Sequence, residues 1–257
     1  MVRLSNKVFC GLAMAVFVSF STGARADGVA DLKAALARLQ GQTPLKAVLE
    51  ISRRSRHGEG KEMDETLSKA TVTLEDGARG LQVLYGKDLL ARVEAEENAK
   101  EKDAKAKTPT LSAMGDIGAG ELRPLILAAG TLARRMEKAV FKGEEVQAYA
   151  GKPARLLSFD FPLESIPEKD RKYIKKYEGS LDIWIAADGT PLASHSKDNV
   201  SGRAYVVISF ESKNDEQSVY SVVGQRLITV HKEAKSSGSG AGEKGESHVT
   251  KTLTPQT

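Results

Sequence analysis

The feature that most constrains the fold is a recurring two-residue period. Leu45, Ala47, Leu49 and Ile51 alternate with Lys46, Val48, Glu50 and Ser52, and the pattern runs on into Arg54 and Arg56. Successive side chains of a strand point to opposite faces, so this segment reads as a strand with one buried face whose far end projects into solvent. After a charged turn at 57–64, Ala70, Val72 and Leu74 alternate with Lys69, Thr71, Thr73 and Glu75, and Asp76-Gly77 reverses the chain into Leu81, Val83 and Tyr85. Strands separated only by turns form an antiparallel meander.

The period returns after residue 143. A short run at 145–150 precedes the turn Gly151-Lys152-Pro153, and Leu157, Phe159 and Phe161 alternate with Leu156, Ser158 and Asp160. The segment SLDIWIAADGTPLASHS, residues 180–196, holds the sole tryptophan of the chain, Trp184. With Asp188-Gly189 as the central residues of a type I′ turn, Ile185 opposes Leu192, Trp184 opposes Ala193 and Asp182 opposes His195. Apolar groups then sit on both faces of the hairpin, so one face needs a cover or a partly apolar cavity. Further on, Ala204, Val206, Ile208 and Phe210 share one face of a long strand. Residues 219–231 read as another, with a bulge or bend at Gly224, and 248–253 as a last short strand.

Helical spacing appears in three places. Residues 27–40 carry Val29, Leu32, Leu36 and Leu39 on one face, with Gly41 placed to stop the helix. Residues 89–107 are rich in Ala, Glu and Lys; from Glu96 onward no apolar stripe continues, which reads as a solvated helix end. Residues 121–140 have a broad apolar face through Leu122, Leu125, Ile126, Leu132 and Met136, with Pro124 suited to the first turn. The expected architecture is α+β: a long curved antiparallel sheet of some nine strands, with helices packed on one face. The expected layout is a single domain over 27–257, with a charged helical insertion at 87–140 and a flexible Gly/Ser loop at 236–247.

Residues 1–26 read as a separate object. Arg3 and Lys7 form a basic head, an apolar run follows from Cys10, and Ala24-Arg25-Ala26 offers small residues around a cleavage point, the order of a secretory signal peptide cleaved after Ala26. The apolar run falls short of the roughly 20 residues that span a bilayer, so the mature chain is expected not to be transmembrane and to reside in the periplasm. Processing would also take Arg3, Lys7 and Arg25, lowering the basic-to-acidic balance from 38:34 to 35:34. The basicity of the full chain, pI about 9.0, then belongs largely to the leader, and a nucleic-acid partner loses its electrostatic support. Cys10 is the single cysteine, so the mature chain is expected to have neither disulfides nor thiol chemistry.

Motifs for catalysis are missing. His57, His195, His231 and His248 lie in separate segments without metal-ligand spacing, and no cofactor is expected. Gly240, Gly242 and Gly245 match G-x-G-x-x-G as text, but a short strand follows where a helix should be. No G-x-S-x-G elbow occurs. Asp182 and His195 read either as a general-base pair beside an aromatic wall or as an ordinary cross-strand pair contributing ~0.2–1 kcal/mol, the latter being the expected reading. Trp184 over Ala193 reads as core packing or as the floor of a ligand groove.

An amphipathic helix, a meander, a helical plug and a second meander carrying Trp184, Asp188, Gly189, Pro191 and Leu192 in the order W-x-x-x-D-G-x-P-L resemble the outer-membrane lipoprotein carrier and sorting superfamily. Residues 151–159, GKPARLLSF, are similar to the strand preceding that hairpin. The resemblance implies a half-open β-barrel whose concave face, plugged by helices, receives acyl chains; residues 96–107 and 236–247 have no counterpart in it. The resulting expectation is a non-enzymatic periplasmic protein binding a lipid, an acyl chain or a lipidated protein, with Trp184, Ala193, Asp182 and His195 as candidate ligand residues. An envelope interaction module without a small ligand is the alternative, and a hydrolase the third.

Overall fold

The computed structural model describes residues 27–58, 63–204 and 208–256. The expected leader, residues 1–26, and Val206 lie outside these described residues. Among the described residues, ten strands form one antiparallel sheet in the order β3-β2-β1-β10-β9-β8-β7-β6-β5-β4. Its edges, β3 (Gly80–Tyr85) and β4 (Val140–Tyr149), do not pair with each other, so the barrel stays open. The α+β half-barrel read from the sequence is the observed architecture, with one strand more than expected.

The seam between the two meanders is β1 (Leu45–His57) against β10 (Glu243–Pro255), with Leu49 opposite Leu253. Alternation then distributes the side chains. Ala47, Leu49 and Ile51 of β1 meet Ala70, Val72 and Leu74 of β2 (Asp64–Gly77) on the inner face. There they pack with Leu122, Leu125 and Ile126 of α4 (Ala119–Ile126) and with Leu89 of α2 (Lys87–Lys102). A second cluster joins Leu157 and Phe159 of β5 (Lys152–Phe161) and Leu181, Ile183 and Ile185 of β6 (Ile174–Ile185). These meet Leu32, Leu36 and Leu39 from and just beyond α1 (Gly28–Arg38), and Leu132 and Met136 of α5 (Ala128–Met136). Each fully buried leucine stabilises by roughly 1.5–3 kcal/mol, which outweighs the modest helix propensity of these short segments.

Several expectations need correction. The helix expected over 121–140 is two, broken at Leu127 (φ −131°, ψ 54°), and Pro124 lies inside α4 instead of in a first turn. The break lets Leu125 and Leu132 serve the two different clusters. The strand expected through Ala204 and Phe210 is two: β7 (Pro191–Ala204) ends as β8 (Ile208–Val223) begins, with Ala204 opposite Ile208. Gly224 is not a bulge. It starts the two-residue turn between Val223 and Arg226, at φ +60°, leading into β9 (Arg226–Gly240); the register shift falls instead at Val219/Tyr220.

The Gly/Ser segment 236–247 is strand, not loop. β9 reaches Gly240, β10 starts at Glu243, and the reversal is Ala241-Gly242, both at positive φ (53° and 85°) as a type I′ turn demands. Small polar residues carry little strand propensity, but here β8 and β10 pair with both sides of β9, and the ladder supplies what side chains do not. The charged stretch beyond Glu96 also folds back. Glu96 accepts from the amides of Thr110 and Leu111 at 2.8 and 3.0 Å, capping α3 (Pro109–Met114), and Lys107 pairs with Asp64 at 2.7 Å.

Candidate ligand-binding site

The Trp184 hairpin builds differently from its expected turn. Gly189 donates to the Ala186 carbonyl at 3.0 Å and Ala186 to that of Thr190 at 2.9 Å. Of Asp188 and Gly189, only the glycine has positive φ, +82°. This is a type I turn closed by a glycine bulge, and not the expected type I′ turn, which requires both central residues at positive φ. The extra residue moves the register by one: Ile185 opposes Pro191, and the expected pairs Trp184/Ala193 and Asp182/His195 hold beyond it.

Those four residues lie on the outer face, away from every helix that covers Ile183 and Ile185. Trp184 donates to Gln147 at 2.6 Å and tilts against the Tyr149 ring at 5.7 Å, both partners coming from edge strand β4. Asp182 and His195 face each other through the backbone but take other partners. Asp182 accepts from Ser158 at 2.6 Å, and the His195 imidazole meets Asp215 of β8 at 2.8 Å. Neither contact is the expected cross-strand or general-base pair: Asp182 bonds Ser158, directly opposite it on β5, and His195, which opposes Gln217 on β8, reaches the diagonal Asp215.

The W-x-x-x-D-G-x-P-L segment instead holds α1. Arg38 bonds Asp188 at 3.0 Å and Thr190 at 3.3 Å, and a Cβ on Gly189 would come within 2.2 Å of the Asp31 carbonyl oxygen. The Asp188 carboxyl is held below its usual range by the Thr190 amide. The other end of α1 is tied to β4 and β5: Gly28 donates to Glu144 at 3.1 Å, and Arg155 reaches Asp31 at 2.7 Å and Glu144 at 3.4 Å. Beyond the helix, Gly41 donates to the Gln225 carbonyl and Leu227 to that of Leu39.

Between α1 and α5 the surface opens into a cleft of about 380 Å³. Leu36, Ala37, Ala133 and Met136 line it, with Lys33, Gln40 and Glu137 as its polar members. Leu36 and Met136 belong to the second hydrophobic cluster, so the cleft floor is continuous with the helix-to-sheet core. An apolar floor with a few polar groups at the rim is the usual composition of a small-molecule site. A larger concavity, about 560 Å³, lies on the outer face, lined by charged and small polar residues. Sequence reasoning missed the cleft. The heptad-like spacing of Leu32, Leu36 and Leu39 marked a buried stripe, but which helix would lie beside it was a tertiary fact.

Among the described residues no cluster of three or more His, Cys, Asp or Glu could hold a metal ion. No described helix is long and apolar enough to cross a membrane. No family model and no curated protein matches the chain. Among solved structures, the chain is similar to the crystal structure of a LolA superfamily protein from Nitrosomonas europaea. The identity is 9%, with a TM-score of 0.30, over 90% of this chain and 94% of that one.

Proposed function

We propose that this is a non-enzymatic envelope protein that binds an acyl chain, a lipid or a lipidated partner beneath α1 and α5. The observation carrying this reading is the α1/α5 cleft, whose floor of Leu36, Ala133 and Met136 leads into the core between helices and sheet. An acyl chain entering there would replace helix-to-sheet contacts by ligand-to-sheet contacts of similar apolar area, so opening costs little net burial. Export through residues 1–26 with cleavage after Ala26, and residence in the periplasm, belong to the same proposal. N-terminal sequencing of the protein recovered from an envelope fraction tests them, and a retained Met1 would remove them.

Displacement of a fluorescent fatty acid tests the site. Ala133→Trp fills the cleft and is expected to weaken binding by about tenfold or more, while Trp184→Ala, on the outer face, leaves it unchanged. Equal loss in both variants, or no saturable binding by the parent protein, would sink the proposal. Trp184 emission is a poor reporter of such a ligand, since the sheet stands between them.

One observation favours the alternative of an interaction module. Edge strand β4 is open on one side and carries Val140, Phe141 and Val146, the last 88% exposed. An unpaired edge with apolar side chains can accept a further strand from a partner.

A further inference from the structure

Two transverse rows of side chains cross the outer face at the end of the sheet farthest from the Trp184 hairpin. Backbone register places Lys197, Asp215, Lys235, His248 and Arg54 side by side on β7, β8, β9, β10 and β1. The next row is Asn199, Lys213, Ser237, Glu246 and Arg56 on the same five strands. Together they line the concavity of about 560 Å³. It exists because β9 carries only serine and glycine from Ser236 to its turn, so the floor is low between longer side chains on either side, Lys213 of β8 and Glu246 of β10.

From this arrangement we infer a second binding site, for an elongated polar ligand bearing at least two oxyanion groups, such as phosphates. Five Lys and Arg side chains line it against two carboxylates, Asp215 and Glu246. Asp215 is occupied by His195 at 2.8 Å. The cations are spaced for more than one anion, since Lys197, Lys235 and Arg54 sit on alternate strands, roughly 10 Å apart. Their present partners are exposed pairs that a ligand displaces at small cost: Lys213 with Glu211, Lys235 with Glu233, and Arg54 and Arg56 sharing Glu65. Lys197 makes no ion pair among the described residues. Asn199 and Ser237 add neutral hydrogen-bonding groups between the charges. The sheet separates this site from the α1/α5 cleft, and neither depends on the other.

Calorimetric titration of the purified protein with inorganic triphosphate, and sedimentation with phosphatidylglycerol or phosphatidylcholine vesicles, test the inference. Lys197→Glu and Lys213→Glu serve as exposed reversals that keep the fold, with Lys87→Glu on α2 as a control of equal charge change. Saturable binding that both trough variants weaken by about tenfold and Lys87→Glu does not supports the site. Triphosphate binding without vesicle binding makes the ligand a free anion, and phosphatidylglycerol binding without triphosphate binding makes it a headgroup. Absence of binding to either, or equal loss in all three variants, overturns it.

Discussion

Gly189 shows how one missing methyl group organises the neighbourhood of α1. A Cβ there meets the Asp31 carbonyl at 2.2 Å while the backbone sits at φ +82°, so two penalties coincide. Gly189→Ala is expected to cost about 2–4 kcal/mol, read as a lowered denaturation midpoint. Gly242→Ala has a similar φ, +85°, but open space around it, and should cost only about 1–2 kcal/mol. The sequence made Gly189 legible as a turn glycine. Its second role was not legible, because the Asp31 carbonyl lies far away along the chain and reaches it only through packing.

A buried ion cluster and a partly buried tyrosine give further tests at this scale. Lys251, 3% exposed at its side chain, bonds Glu121 at 2.6 Å and the Asp116 carbonyl at 3.1 Å, and Asp116 also forks with Arg53. Asp116→Ala would leave Arg53 without its forked partner and is expected to destabilise by about 3 kcal/mol in urea titration. Tyr220, whose hydroxyl bonds that of Ser194 at 2.6 Å, has its phenol pushed up to about 12 by burial. Its proton is held more tightly in the folded chain than in the unfolded one. The corresponding stability, roughly 2–3 kcal/mol, is therefore full below about pH 10 and lost as pH rises towards 12. Ultraviolet titration should show fewer phenolates near pH 11 in the folded protein than in the unfolded chain, and Tyr220→Phe should remove part of that delay, the rest coming from Tyr177, which burial also pushes up.

At the scale of elements, α1 behaves as a bar held at both ends. Asp27 caps its first turn by accepting from Val29 and Ala30, Arg155 and Glu144 hold its start, and Asp188 holds its finish through Arg38. Arg155→Ala is expected to raise hydrogen exchange across residues 28–38 while β1 and β2 keep their protection. Uniform loss of protection would mean that α1 is integral to the sheet and not a movable cover. The existence of α1, of the first meander and of the 180–196 hairpin was legible, since each carries a strong local period. Elements with weak local signals were missed or misplaced. The strand character of 236–247 comes from neighbours on both sides, and the break at Leu127 comes from two separate clusters pulling on one apolar run.

At the scale of the molecule, the sheet has two unlike faces and two open edges. The inner face is apolar and roofed by helices, while the outer face is mostly polar, its apolar members lying around Trp184, Tyr149 and Leu156 and at the exposed Leu67 and Leu84. Edge strand β4 offers a direct check on the interaction reading. Val146→Lys removes an apolar group that is 88% exposed, so stability should change by no more than about 0.5 kcal/mol. Any partner captured through this edge should be lost in a pull-down. Fold class was readable from period and turn chemistry, but the location of the candidate site was not. The α1/α5 cleft is made by two helices that contact each other only after the chain has folded, so no local period marks it.

The pairing of β1 with β10 bears on the time at which the structure can form. The two strands lie at opposite ends of the described chain, and the register between them joins the two meanders into one sheet. A growing chain can zip β2 and β3 onto β1 early, yet the other edge of β1 stays unsatisfied until residues 243–255 arrive. Contacts so distant in sequence slow the search for the native state. Such a chain stays incomplete, and open to threading or to capture by a chaperone, until its last strand has been delivered.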